Sequence, residues 1–309
     1  MKAITIDKLS KSYGKNKVLD NVSLEIETGE FYCLLGPNGS GKTTLSSIIA
    51  GIRRADSGKV RILDKDIEEV KEMIGYIPQE NFSDPNLSGS ENLMYFAKML
   101  GKEKEGRKEL IEEIIKKIGL EKEAGKRVSK YSGGMKKRLE LATILFPGID
   151  IMILDEPTTG LDPSARRNFF SYIKKIKRDS TTIFLISHIG SDAELATKVG
   201  LIDEGKIIAE DSPEKLKQTS GLNNTVTIET LTKNDEIKNI LSGFSCDKEV
   251  IELGSGYRIF TEESAEIIPK IVRQVESGGN KVLKISASSP SIEDVFFKLT
   301  GKIVKEIED

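Results

Sequence analysis

Phe31-Tyr32-Cys33-Leu34-Leu35 runs straight into Gly36-Pro37-Asn38-Gly39-Ser40-Gly41-Lys42-Thr43-Thr44, and the apolar stretch Leu45 to Ala50 follows. A continuous apolar run suits a strand buried on both faces of a mainly parallel sheet. The first eight residues after it, Gly36 to Thr43, fit G-x-x-x-x-G-K-[ST], the phosphate-binding loop between a strand and a helix. Glycines let such a loop wrap with its N–H groups pointing inward, the helix N-terminus adds a favourable dipole, and Lys42 can reach the terminal phosphates of a nucleotide. Residues 36 to 44 are therefore the expected nucleotide cradle, with Thr43 as a magnesium ligand. A glycine-rich strand-to-helix turn with no ligand would not require a Lys followed by a hydroxyl residue at this spacing.

Working outward, a second apolar run ends in two carboxylates, Ile151-Met152-Ile153-Leu154-Asp155-Glu156. Consecutive side chains on a strand point to opposite faces, so the two acids are expected to have different tasks. Asp155 is placed to bind magnesium, directly or through water. Glu156 would sit beside the γ-phosphate, where a carboxylate orients and polarises the attacking water. This favours ATP hydrolysis over phosphoryl transfer to another substrate. The single histidine, His188, follows a third apolar run, Thr182 to Ser187, at the carboxyl end where a parallel sheet presents ligand-facing groups. It has no His or Cys cluster beside it of the kind zinc needs.

The rest of the chain bounds the answer. Its 309 residues allow about two domains. Lys and Arg number 47 and Asp and Glu 49, a net charge of −2, so no nucleic-acid partner is expected. Apolar runs fall well short of the ~20 residues of a membrane span. Met1-Lys2-Ala3-Ile4-Thr5 enters an alternating pattern without a signal-peptide apolar block, and Cys33 and Cys246 alone fit a reducing cytoplasm. The first thirty residues alternate apolar and polar positions, as antiparallel strands do, whereas Glu91 to Leu100 and Lys108 to Ile118 have helical spacing. Val199 to Asp203 and Lys206 to Ala209 read as strands about Glu204-Gly205.

A turn-rich stretch, Ser220-Gly221-Leu222-Asn223-Asn224, marks a linker. Beyond it come strand Val226 to Glu229, helix Asp235 to Leu241, strands Glu249 to Leu253 and Tyr257 to Thr261, helix Ser264 to Val275 and strand Lys281 to Ser286. That order is the ferredoxin-like split βαβ arrangement. Pro269 either kinks its helix or marks its first turn. A last helix is expected from Ser291 to Leu299.

Tyr131-Ser132-Gly133-Gly134-Met135 resembles the signature of ABC-type ATPases, usually written L-S-G-G-Q and placed, as here, shortly before the Asp-Glu strand. Tyr131 and Met135 stand where Leu and Gln are commonest. Ser132, Gly133 and Gly134 offer a hydroxyl and open N–H groups at a helix start, a second anion site. The resemblance implies that two such domains pair head to tail, each signature closing over the ATP held by the other subunit's phosphate loop. It further implies that Tyr13 stacks on adenine, that Gln79 senses magnesium and joins the core to the helical subdomain, that Asp162 belongs to the dimer-contact loop, and that His188 contacts the γ-phosphate. The expected fold is α/β: a P-loop NTPase core of the ABC type over residues 1–218, with antiparallel β and helical subdomains, and a small α+β, ferredoxin-like accessory or regulatory domain over 219–309.

Pro290-Ser291-Ile292-Glu293-Asp294-Val295-Phe296 is similar to the closing helix of ATP-binding subunits of drug, polysaccharide and ion exporters. Catalysis is thus expected from Glu156, His188 and Lys42, with magnesium on Thr43, Gln79 and Asp155. The expected partners are a second ATPase subunit, identical or related, and an integral membrane transporter subunit touched near Phe82 to Phe96 and the Gln79 loop, on the inner face of the cell membrane. Two other readings stand beside export: an ABC-type ATPase that remodels a macromolecule in translation or DNA maintenance, and a nucleotide-binding module with little turnover. A single phosphate loop and the absence of sustained heptads disfavour the first; Glu156 and His188 disfavour the second.

Overall fold

The computed structural model describes residues 1–262 and 264–304. They divide into two compact units, Met1–His188 with Ala196–Ile208, and Ile189–Leu195 with the described residues from Ala209 onward. Glu263 and residues 305–309, which fall within the expected 219–309 domain, lie outside the described residues. Among the described residues no helix is long and apolar enough to cross a membrane.

In the first unit the alternating N-terminal sequence forms β1 (Lys2–Tyr13) and β2 (Asn16–Glu27), an antiparallel pair extended by β4 (Ser57–Ile62) in the order β2-β1-β4. Leu24 and Ile26 face inward while Ser23, Glu25 and Glu27 differ from them by one step of the pleat. The continuously apolar runs form the main sheet: β3 (Phe31–Leu35), β5 (Ile74–Ile77), β6 (Ile151–Asp155), β7 (Thr182–Ser187), β8 (Lys198–Asp203) and β9 (Lys206–Asp211), in the order β5-β6-β7-β3-β8-β9. Every residue of β3, β6 and β7 is buried, as expected of central parallel strands. Strands β8 and β9 are joined by Glu204 and Gly205, both at positive φ, the backbone a tight hairpin needs.

Helix α1 (Lys42–Ile49) follows the glycine loop, and α2 (Ile67–Val70) precedes β5. The helical region consists of α3 (Gly89–Met99), α4 (Arg107–Lys117) and α5 (Gly133–Ala142); α6 (Pro163–Ile176) connects β6 to β7. Helix α3 begins two residues earlier than its apolar spacing indicates because Ser88 and Glu91 form a capping box. Leu93, Ile111, Ile114, Val128, Leu139 and Phe146 meet in a core of their own.

The second unit holds α7 (Gly190–Ala193), α8 (Pro213–Thr219), β10 (Asn224–Thr230), α9 (Asp235–Ser242), β11 (Ile251–Leu253), β12 (Gly256–Thr261), α10 (Ser264–Ser277), β13 (Val282–Ser288) and α11 (Ile292–Thr300). Its four strands form one antiparallel sheet, β11-β12-β10-β13, over Val226, Ile228, Ile237, Tyr257, Ile259 and Ile271. Strand β11 is shorter than the apolar pattern indicates: the Glu249 N–H is taken by the Asp247 carboxylate at 3.1 Å in the preceding turn. Pro269 lies inside α10 and so does not mark its first turn; it is exposed, where water can satisfy the carbonyl that loses its partner. Gly190 donates its N–H to Glu293 Oε1 at 2.7 Å, and a Cβ on this glycine would stand 2.4 Å from Glu293 Cγ.

Candidate nucleotide-hydrolysing site

Parallel register brings the expected chemistry to one sheet edge. Leu35 pairs with Ser187 and Asp155 with Ile186, so the chain leaves β3, β6 and β7 at the same level. There it enters the glycine loop, Glu156 and His188 respectively. This is the carboxyl edge, where open α/β sheets hold their ligands.

The loop's shape explains its glycines at two positions. Gly41 has a φ of 100°, and a Cβ there would stand 2.7 Å from Val18 O; a Cβ on Gly36 would stand 2.2 Å from Ile202 O. Pro37, Asn38 and Gly39 form the outer part of the loop, with Asn38 and Gly39 exposed, while Ser40 is buried. Helix α1 begins at Lys42, whose ammonium donates to Gly36 O at 2.8 Å and Pro37 O at 2.9 Å. Burial pushes this ammonium below its ordinary value, against the pull of Glu156 and Asp155. Thr43 is exposed at the start of the helix and Thr44 half-buried behind it.

Asp155 is fully buried at the end of β6, where burial raises its carboxyl above the ordinary range against the hydrogen bonds it accepts. Its Oδ1 accepts from Thr43 Oγ1 at 3.2 Å; Oδ2 accepts from Ser46 Oγ at 2.9 Å and Tyr76 OH at 3.3 Å. Ser46 and Tyr76 were not legible as site residues. Ser46, like Ser47 beside it, is a buried hydroxyl among the apolar residues Leu45, Ile48 and Ile49, and that mismatch is the one signal it carries.

Glu156 takes the next step out of the strand at φ +46°, a left-handed conformation uncommon for a non-glycine residue, and its N–H is held by Ile186 O at 3.0 Å. Its carboxylate lies 3.7 Å from Lys42 Nζ and 3.0 Å from His188 Nδ1, the latter off the line of a well-formed hydrogen bond. Gln79 Nε2 donates to the same carboxylate at 3.1 Å and Thr159 Oγ1 at 3.4 Å. Burial pushes the Glu156 carboxyl up, but His188 and Lys42 together hold it below its ordinary value. A charged acceptor is thus held beside the phosphate-loop lysine.

A second group gathers the signature residues. Ser132 caps α5 by accepting from Met135 N at 3.3 Å, and Asp162 caps α6 by accepting from Ser164 N and Ala165 N at 2.9 and 3.0 Å. The two caps are neighbours: a Cβ on Gly133 would stand 3.6 Å from Leu161 Cδ2, and one on Gly134 the same distance from Ala165 Cβ. Tyr131 is buried and donates its hydroxyl to Glu123 O at 2.8 Å, and Met135 packs on the helical core. These two departures from the commonest signature therefore serve packing. Tyr13 is exposed, with Lys11 Nζ and Arg53 Cζ each 5.6 Å from its ring centroid and Arg53 donating to its hydroxyl at 2.5 Å.

The ABC transporter family model matches residues 19–159. The Nod factor export ATP-binding protein I of Paraburkholderia xenovorans (strain LB400) is 32% identical over 327 residues, spanning 98% of this chain and 99% of its own length. The linearmycin resistance ATP-binding protein LnrL of Bacillus subtilis (strain 168) is 28% identical over 307 residues, spanning 97% and 99%. Among solved structures, an ATP-binding cassette in a dimeric, post-hydrolysis state bound to ADP and Pi superposes with a TM-score of 0.61 at 26% identity, over 68% of this chain and 98% of that one. Alignment along nearly the whole length with transporter ATP-binding proteins decides for transport over the remodelling of translation or DNA machinery. The chain belongs to the ABC transporter family, as an export-type ATP-binding protein and ATPase.

Proposed function

We propose that this chain drives an exporter as one half of an ATPase dimer, binding ATP between its own phosphate loop and the signature of a second subunit, and hydrolysing it with Glu156 as the base. The observation that carries this reading is the Glu156 carboxylate, buried and held between Lys42 and His188 at 3.7 and 3.0 Å. ATP would lie in the loop Gly36 to Gly41, its phosphates met by the loop N–H groups, Lys42 and Thr44, its adenine stacked on Tyr13. Glu156 accepts the proton of the attacking water; His188 and Gln79 fix the carboxylate and orient that water against the γ-phosphate. Ser132, Gly133 and Gly134 with Asp162 serve the partner's nucleotide, so ATP closes the dimer and hydrolysis reopens it.

Magnesium fits the donors present. Thr43, Asp155 and the Gln79 amide offer oxygen atoms only, and among the described residues no three His, Cys, Asp or Glu side chains converge as a metal cage. Such a set suits an ion shared with nucleotide phosphates. Bound there, the ion would neutralise phosphate charge as it develops.

The expected domain division, 1–218 for ATP binding and 219–309 for an accessory role, is retained in this reading. The strand order β13-β10-β12-β11, with a helix after β10 and after β12, supports a ferredoxin-like accessory domain. A separate integral membrane subunit would carry the substrate path, with this chain peripheral on the inner face of the membrane. The direct test is phosphate release by the purified chain with Mg-ATP, compared with Glu156→Gln, together with co-purification from membranes. No turnover by the wild-type chain, or recovery without any multispanning partner, would overturn the reading.

A further inference from the structure

Two buried charges on α5 are used by none of the steps above. Lys137 and Glu140 are 5% and 0% exposed, one turn apart, and pair at 3.1 Å through Glu140 Oε2, which has no other polar partner among the described residues. Both side chains reach from α5 to one loop. Lys137 Nζ donates to Gln79 O at 3.4 Å, and Glu140 Oε1 accepts from Ser83 Oγ at 3.5 Å. The same loop presents Gln79 Nε2 to Glu156 at 3.1 Å, and the same helix starts at the Ser132 cap.

We propose that Lys137 and Glu140 are positioning residues for hydrolysis: their ion pair fastens the 79–83 loop to the helix headed by Ser132, so that the placement of α5 sets the placement of Gln79 against Glu156. The inference rests on the hydrolytic role proposed for Glu156. Packing does not account for the pair. The neighbouring α5 positions Leu139, Leu141 and Ala142 are apolar and buried, and an ion pair in such a setting gains little or no stability over apolar side chains of similar volume. Burial holds the Glu140 carboxyl above its ordinary value even with Lys137 beside it, so a charge there stands against the preference of its surroundings. What the pair supplies that Met and Leu would not is a directional hold on a loop backbone. The ammonium donates to the Gln79 carbonyl and the carboxylate accepts from the Ser83 hydroxyl. Ser132 to Gly134 and Glu156 are thereby linked within one chain through a short series of polar contacts.

The test is the double variant Lys137→Met/Glu140→Leu, which refills the volume without the charges, measured beside wild type and Lys137→Arg. The double variant is expected to melt at or above the wild-type temperature. Its affinity for trinitrophenyl-ATP and its KM for ATP should stay within about twofold, because the phosphate loop is untouched. Its kcat should fall at least about tenfold, within the loss that a misplacement of about 1 Å produces. Lys137→Arg, which keeps the charge and the donor, should retain at least about half of the wild-type kcat. A double variant with kcat within about twofold of wild type overturns the inference, as does a fall in kcat that tracks lost nucleotide binding or a lowered melting temperature. Wild-type turnover separates the two levels: if the unaltered chain does not hydrolyse ATP, the proposed role of Glu156 fails; if it does and the double variant matches it, only this inference fails.

Discussion

Glu156→Gln isolates the charge of one carboxylate and little else. The amide has the same shape, can still accept from Gln79 and Thr159, and leaves the left-handed backbone at Glu156 unaltered. Two effects follow from the geometry. Because His188 and Lys42 hold the wild-type carboxyl below its ordinary value, it is fully ionised at neutral pH, and the variant loses the whole of that base. A positioned general base contributes about 10²- to 10⁴-fold, so the barrier should rise by about 3 to 5 kcal/mol. Binding should move the other way. At 3.7 Å the Lys42–Glu156 attraction is of the order of 4 kcal/mol before solvation is counted, and neutralising Glu156 frees Lys42 for phosphate. ATP affinity should hold or tighten, and the ATP-bound dimer should persist. Steady-state phosphate release at saturating Mg-ATP, nucleotide titration and size-exclusion chromatography with ATP read the three quantities. A kcat within about fivefold of wild type, or an affinity weakened more than about tenfold, would refute the reasoning, since neither follows from losing a general base beside an intact lysine.

His188→Ala should lower kcat about 100-fold, far more than it weakens nucleotide binding, because the ring touches the carboxylate proposed as the base. Gly36→Ala drives a methyl group to 2.2 Å from Ile202 O; we expect a loss of about 1–3 kcal/mol in thermal unfolding together with weakened ATP binding, and a wild-type melting curve would contradict the placement of the loop. The Lys137→Met/Glu140→Leu variant carries a pH signature. Between the ordinary carboxyl value of 4.5 and its raised folded value, Glu140 binds more protons folded than unfolded, so wild-type stability rises as pH falls through that window. The melting advantage of the double variant should therefore be largest above that window and shrink as pH falls through it; an advantage that grows on acidification would reverse the sign assigned to Glu140.

What the sequence made legible was whatever is local. The phosphate loop, the Asp155-Glu156 strand end and the isolated His188 each carry their chemistry within a few residues, and the fold delivers them to one edge because their strands are parallel and in register. Caps were equally local: Ser291 and Asp294 bond reciprocally at the start of α11, beside the proline and acidic residues that mark a helix start. Contacts between distant residues were hidden. Tyr76, Ser46 and Asp155 lie on three different elements, and periodicity says which residues are buried without saying which polar atom finds which. Lys137 and Glu140 look on paper like the solvated face of a charged helix. Only the packing of α5 against the 79–83 loop turns that face inward.

The compact unit that contains the C-terminal residues also claims Ile189–Leu195, which begins directly after His188, and there the Glu293 side chain fills the space a Cβ on Gly190 would need. The C-terminal unit is therefore not a cassette that recombination can exchange at a single breakpoint near residue 219. A tail grafted from a relative brings its own side chain against a Gly190 whose missing Cβ leaves room for Glu293, so a working chimera must inherit the 189–195 segment and α11 together, as one hereditary block interrupted by foreign sequence.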